Sequence, residues 1–284
     1  MQQGLLICGH GSRNKEGVKA FEDLAVKMRE RHPEKLIEHG FLELSIPTFE
    51  DGIRKLYDQG AREIIALPVF LFTGVHLKFD IPYQMKALEE KFEGLTIKLG
   101  SYIGVCQQLV NLSEKLICKA EEEIRADRKD SCFLALGIGA SVAEANGDIA
   151  KLTRLVMENS NFGFCTNAFI SRMASPSIPD TLDLLKHLPF KRIVMVPFIF
   201  FTGVYMDRIH DMVSKFMQET DKEVILTETF GSDDLVLDAL EMRLQEVLDG
   251  KVDLTQNLDP NAEHHHHHHD HDHGHSHHHG HHHH

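Results

Sequence analysis

Tryptophan is absent from this 284-residue chain. Cysteine is scarce, with Cys8, Cys106, Cys118, Cys132 and Cys165 scattered along it. No two of them form a C-x-x-C pair. Neither a disulfide framework nor a cysteine metal site is expected, and the thiols read as reduced core residues. Long apolar runs are missing too: nothing approaches the ~20 residues of a membrane helix. The start, MQQGLLICGHGSR, has neither the basic region nor the extended apolar segment of a secretory leader, which points to the cytoplasm. Positive charge is in deficit, with 30 Lys and Arg against 43 Asp and Glu and a formal net charge of -13. A nucleic-acid partner is therefore not expected. What is present is a hydrophobic fraction of 42%, enough for real cores, in a chain long enough for two domains.

The chain repeats itself at half its length. GLLICGHGS (4–12) resembles CFLALGIGAS (132–141), and each is followed by a helical pattern. LIEHGFLELSIPTFEDGIRKL aligns with FCTNAFISRMASPSIPDTLDLL, and IIALPVFLFTGVH (64–76) with IVMVPFIFFTGVY (193–205). Within each half short apolar runs alternate with amphipathic stretches. LLIC, LIEHGF, EIIALPVF and IKLGSYI are expected strands; KEGVKAFEDLAVKMRERH, TFEDGIRKLYDQG and PYQMKALEEKFEG are expected helices. This predicts an α/β protein with two parallel sheets, each covered by helices on both faces. The expected divisions are 1–127, 128–250 and a linker with tail, 251–284. From Glu263 the tail reads EHHHHHHDHDHGHSHHHGHHHH, with no apolar residue to bury, so it is expected to be disordered without a ligand.

Ligands of open parallel sheets bind beyond the carboxyl ends of the strands. In the first half three successive strand ends offer His10, Glu43 and His76. Two imidazoles and a carboxylate suit a divalent ion such as Fe, Co, Ni or Zn, and they also take protons near neutral pH. Gly9-x-Gly11 alone is a weak phosphate-loop signal, lacking the later glycine of the dinucleotide fingerprint and the lysine of a Walker loop. The second half keeps the scaffold (Gly137, Gly139, Pro176, Pro197, Thr202, Gly203) and replaces the three polar residues. Ile138 matches His10, Arg172 matches Glu43 and Tyr205 matches His76. One polar site on the first half, walled by the second, is the expected arrangement.

GHGSR, FLE followed by proline, and PVFLFTGVHLKFDIP together resemble the sirohydrochlorin chelatases of the CbiX and SirB type, across roughly residues 4–250. The resemblance implies two flavodoxin-like, chelatase-like domains facing a central cleft that holds a tetrapyrrole, and ATP-independent insertion of a divalent metal. It places catalysis and metal binding on His10, Glu43 and His76, with Gly9, Gly11, Ser12, Ser45, Thr73, Gly74, Val75 and Tyr205 against the substrate. No tightly bound cofactor is implied. The metal is itself a substrate, with Co(II) favoured for cobalamin synthesis and Fe(II), for sirohaem, the alternative. The chain departs from the family's second-half G-R-G-S at Gly137-Ile138-Gly139-Ala140-Ser141, which has no arginine. Sirohydrochlorin carries many carboxylates, and Arg13, Lys78, Arg172 and Arg208 are candidate rim cations. A monomer or homodimer is expected.

Six consecutive histidines fit a purification tag, but the continuation DHDHGHSHHHGHHHH does not. The tail therefore reads as an auxiliary metal-binding segment through His264, His271, His273 and His275, suited to Co, Ni or Zn. Metal storage through that tail is a competing reading of the whole protein. A phosphate-binding domain using Gly9 to Ser12 is a third.

Overall fold

A computed structural model describes residues 2–74, 76–121, 128–256 and 258, with His76 described by its backbone alone. The first half runs β1 (Gln2–Gly9), α1 (Lys15–Arg31), β2 (Leu36–Phe41), α2 (Phe49–Asp58), β3 (Ala61–Pro68), α3 (Ile81–Lys91), β4 (Thr96–Leu99) and α4 (Gln107–Ala120). The second runs β5 (Ser131–Gly137), α5 (Ala143–Ser160), β6 (Phe164–Phe169), α6 (Ile178–Lys186), β7 (Arg192–Pro197), α7 (Val204–Gln218), β8 (Glu223–Leu226) and α8 (Asp234–Leu248). Two four-stranded parallel sheets result, ordered β2-β1-β3-β4 and β6-β5-β7-β8.

The strand assignments follow from burial. Leu5, Leu6, Ile7 and Cys8 in β1, and the whole of β5 and β7, are buried. These are the central strands, covered on both faces, so they read as unbroken apolar runs. Helix starts follow from capping chemistry. Asn14 accepts the Gly17 amide, and Thr48 with Asp51 closes a reciprocal capping box. Ser177 and Asp233 cap α6 and α8 in the same way. The strand expected over IKLGSYI stops at Leu99. There the Leu99 amide donates to the Asp253 carboxylate at 3.1 Å and the Leu99 carbonyl accepts from Leu254 at 2.9 Å.

The two helices that end the halves are exchanged. α8 lies against β3 of the first sheet, and Val247 is among the nearest neighbours of a Cβ added at Gly100, at 3.3 Å. α4 packs on α5 and β7 of the second. One continuous apolar core therefore joins Leu5, Ile7, Ile65 and Leu67 to Phe133, Val194, Val196, Leu237 and Leu240. Two further cores fill the outer faces of the sheets. The thiols correct the expectation made from spacing. Cys8 and Cys132 are core residues, with burial pushing Cys132 up to about 12, whereas Cys118 is exposed and Cys106 and Cys165 are half-buried. No described helix is long and apolar enough to cross a membrane.

Candidate functional site

In the order β2-β1-β3-β4 the direction of winding reverses between β1 and β3, which opens a crevice at their carboxyl ends. His10 follows β1, Glu43 follows β2, and His76 begins a π-helical turn, His76–Asp80, that leads into α3. Such turns are uncommon and occur often at functional sites. The backbone ladder of β1 and β2 continues past both strands. The Leu42 amide donates to the Gly9 carbonyl at 2.9 Å and the Glu43 amide to the His10 carbonyl at 3.0 Å. That pairing sets the His10 and Glu43 side chains together, with Nε2 and Oε1 3.7 Å apart and both partly exposed. The gap exceeds a direct hydrogen bond. It lies within the span of two donors that each sit ~2.1 Å from a shared ion. Phe70 supplies an apolar wall 6.2 Å from the His10 ring, centre to centre.

The surrounding loop residues hold this geometry. Gly11 has φ +96°, and a Cβ there would stand 1.7 Å from the Glu43 carbonyl oxygen, so no other residue fits without moving the loop. The Ser45 hydroxyl accepts the Ser12 amide at 3.0 Å and donates to the Ser12 carbonyl at 2.9 Å. The Ser12 hydroxyl accepts the Asn14 amide at 3.0 Å. Both serines are thus engaged in tying one loop to the other. Gly9 is buried, and a Cβ there would meet the Phe21 ring at 2.8 Å. Thr73 is buried as well, while Tyr205 is exposed. Val75, the His76 side chain and His264, His271, His273 and His275 lie outside the described residues.

The second half copies the backbone and not the chemistry. The Ser171 amide donates to the Ile138 carbonyl at 2.9 Å, as Glu43 does to His10. The residue matching Glu43 is therefore Ser171, not Arg172 as the alignment of the text suggested. One more residue separates Phe169 from its bridge at Ser177 than separates Phe41 from Thr48, and this shifts the register of the letters. Of the proposed rim cations, Lys78 pairs with Glu144 on α5, and Arg13, Arg172 and Arg208 are exposed.

Apart from Tyr205, sequence reasoning missed a set of apolar residues. Of eleven large apolar side chains exposed among the described residues, six (Leu44, Ile46, Phe79, Met173, Val204 and Tyr205) follow strand ends, with Ile46 80% and Met173 64% exposed. Leu44 and Ile46 are linked through the loops to Val204 and Tyr205. Ser45, between Leu44 and Ile46, holds Ser12; Ser12 holds Asn14; and a Cβ added at Gly203, next to Val204, would lie 3.9 Å from the Asn14 Cβ. The signal was available in the text, because LSIP and MASP place large apolar residues in loops where polar ones are usual. Among the described residues no group of three or more His, Cys, Asp and Glu converges as a metal site.

The CbiX family model matches the chain twice, over residues 4–120 and 132–247. A sirohydrochlorin cobaltochelatase of Priestia megaterium is 31% identical over 251 residues, covering 88% of this chain and 81% of that protein. A sirohydrochlorin ferrochelatase of the same organism is 29% identical over 255 residues, covering 88% and 92%. SirB from Bacillus subtilis with Fe3+ has the same fold at a TM-score of 0.81 and 24% identity, over 89% of this chain and 100% of that one. Both copies of the repeat, and not the first alone, carry the match: the chain belongs to the CbiX family.

Proposed function

We propose that this protein inserts a divalent metal ion into sirohydrochlorin, with Co(II) the favoured ion and Fe(II) the alternative. The observation that carries the reading is the His10–Glu43 pair, 3.7 Å apart at the switch point of the first sheet and bordered by exposed apolar side chains. A conjugated macrocycle presents two apolar faces, which suit Leu44, Ile46 and Phe79 on one side and Met173, Val204 and Tyr205 on the other. Insertion forms bonds from the metal to the pyrrole nitrogens and removes two N–H protons. In this reading Glu43 and His10 receive them, with His76 contributing from the next strand end. The metal is a substrate, handed on from these three side chains. Gly74, Val75 and Tyr205 border the macrocycle in this reading, and Gly9, Gly11, Ser12, Ser45 and Thr73 hold the loops that face it. The activities of the cobalto- and ferrochelatase relatives agree with the reaction. The histidine-rich tail favours cobalt, because imidazoles suit late divalent metals.

The test follows the absorbance of sirohydrochlorin with Co(II) and with Fe(II), side by side and without oxygen. Rapid insertion of cobalt, slowed ~10²–10⁴-fold by His10→Ala or Glu43→Gln, is the expected result. Unchanged rates in both variants would remove the site assignment, and faster iron insertion would reverse the order of metals. The alternative, metal storage through the tail, is favoured by the histidines of 264–284. Removing the chain beyond Pro260 leaves insertion intact if the tail is auxiliary.

A further inference from the structure

One face of α5 reaches across to the first half at two points a helical turn apart. Glu144 pairs with Lys78, and the Tyr102 hydroxyl donates to Asp148 Oδ2 at 3.3 Å. Lys78 lies within the π-helical turn that begins at His76, and Tyr102 lies just beyond β4. Both partners thus stand at the carboxyl edge that carries His10 and Glu43.

The repeat provides an internal comparison. β1 Gly9 and β5 Gly137 are equivalent, since they face Phe41 and Phe169 in the same register. α1 and α5 begin the same distance beyond them. Glu16 therefore matches Glu144 and Ala20 matches Asp148. Lys78 donates its amide to Gly74, as Asp207 does to Gly203, so Asp207 matches Lys78. Ile103 and Phe230 bond to equivalent carbonyls, which makes Thr229 the match of Tyr102. Around the copy that lacks the histidine, the cation has become a second acid and the Asp an alanine. That junction is apolar and backbone-based instead. A Cβ at Gly17 would come within 2.6 Å of the Thr202 carbonyl, and the Phe21 and Phe201 rings meet edge to face at 6.1 Å. Among the described residues the polar bridge occurs only on the side that carries His76.

We propose that Glu144 is a positioning residue, through which the second half holds the turn carrying His76 at the sheet edge that also bears His10 and Glu43. This rests on the chelatase reading for its effect on rate, but not for its effect on the turn. The Lys78–Glu144 pair is solvent-exposed, so its contribution is modest and works by orientation. Placement errors at a reacting centre are costly in rate even when their cost in stability is small.

The experiment compares wild type, Glu144→Gln, Glu144→Lys and the charge exchange Lys78→Glu with Glu144→Lys. Each is assayed for kcat and KM in metal insertion, thermal stability and amide hydrogen exchange over 76–81. Reversal at Glu144 alone is expected to lower kcat by about three- to tenfold with little change in KM for sirohydrochlorin. It should also speed exchange in the turn and leave the melting temperature within about 2 °C. The charge exchange should restore both kcat and protection. A fall in KM for Glu144→Gln with kcat unchanged would overturn the proposal, because Lys78 would then be a substrate contact that Glu144 masks. Failure of the exchange to rescue would overturn it too. If wild type inserts no metal, the chelatase reading fails. Hydrogen exchange still decides the positional claim, which is lost if the turn exchanges alike in all four proteins.

Discussion

At Gly11 and Gly74 the same substitution has opposite prospects. Gly11 sits at φ +96° with the Glu43 carbonyl in the place of its missing side chain, whereas a Cβ at Gly74 meets nothing within 4 Å. Gly11→Ala is expected to destabilise the fold by ~1–3 kcal/mol and to separate His10 from Glu43, so metal insertion falls with it. Gly74→Ala should be close to neutral in urea unfolding. Equal unfolding midpoints for the two variants would contradict the loop geometry. His39 provides a second test. Burial, and then the charge of Arg29, holds its pKa below the ordinary imidazole value, with Glu22 and Glu38 opposing and Lys55 assisting. Its Nδ1 lies 3.0 Å from Arg29 Nη2, its Nε2 is buried with no partner, and Phe21 and Phe41 pack around the ring. The folded state therefore prefers neutral His39. Its contribution is present above the unfolded pKa, near 6.5, and is lost as pH falls from there through the lower folded value. Unfolding free energy measured from pH 7.5 to 5 should fall less steeply in His39→Gln than in wild type. Parallel curves would assign the acid sensitivity elsewhere.

At the level of elements, the exchange of α4 and α8 decides what each sheet rests on. Leu244 of α8 lies with Gly4, Leu5 and Ile65, on the first sheet, although it belongs to the second half of the chain. Leu244→Ala is expected to cost ~2–5 kcal/mol, and in native-state hydrogen exchange it should expose β1 and β3 before β5 and β7. The reverse order would mean that α8 serves its own half. At the other crossing, Glu121 at the end of α4 bonds Arg128 at 2.7 Å and faces the buried Arg192 of β7 at 3.7 Å. Arg192 also holds Glu223 at 2.7 Å. Each of these charges has an oppositely charged neighbour, although Glu121 Oε1 and Arg192 Nη1 are buried without a hydrogen bond of their own.

Across the whole molecule, the core that joins both sheets makes the halves unfold together. Calorimetry is expected to show one cooperative transition, and two resolved peaks would mean that the halves are energetically separate. The arrangement also explains what was readable beforehand. Strands and helices were legible because burial on both faces forces continuous apolar runs, and capping needs Asn14, Thr48, Ser177 and Asp233 where they stand. The duplication was legible because both copies solve the same backbone problem at Gly11 and Gly139, each with positive φ. Candidate chemistry could be named from His10, Glu43 and His76, since successive strand ends of a parallel sheet share one edge. Only the tertiary structure paired Glu43 with Ser171, because register is set by hydrogen bonds between strands and not by the order of letters in a loop. Only it showed the six apolar side chains left in solvent beyond the strand ends, since exposure depends on what packs above a loop. Only it exchanged α4 with α8. An amphipathic helix specifies that one face must be buried, but many sheets would satisfy it, and the choice is made by which apolar surface lies open when the chain closes.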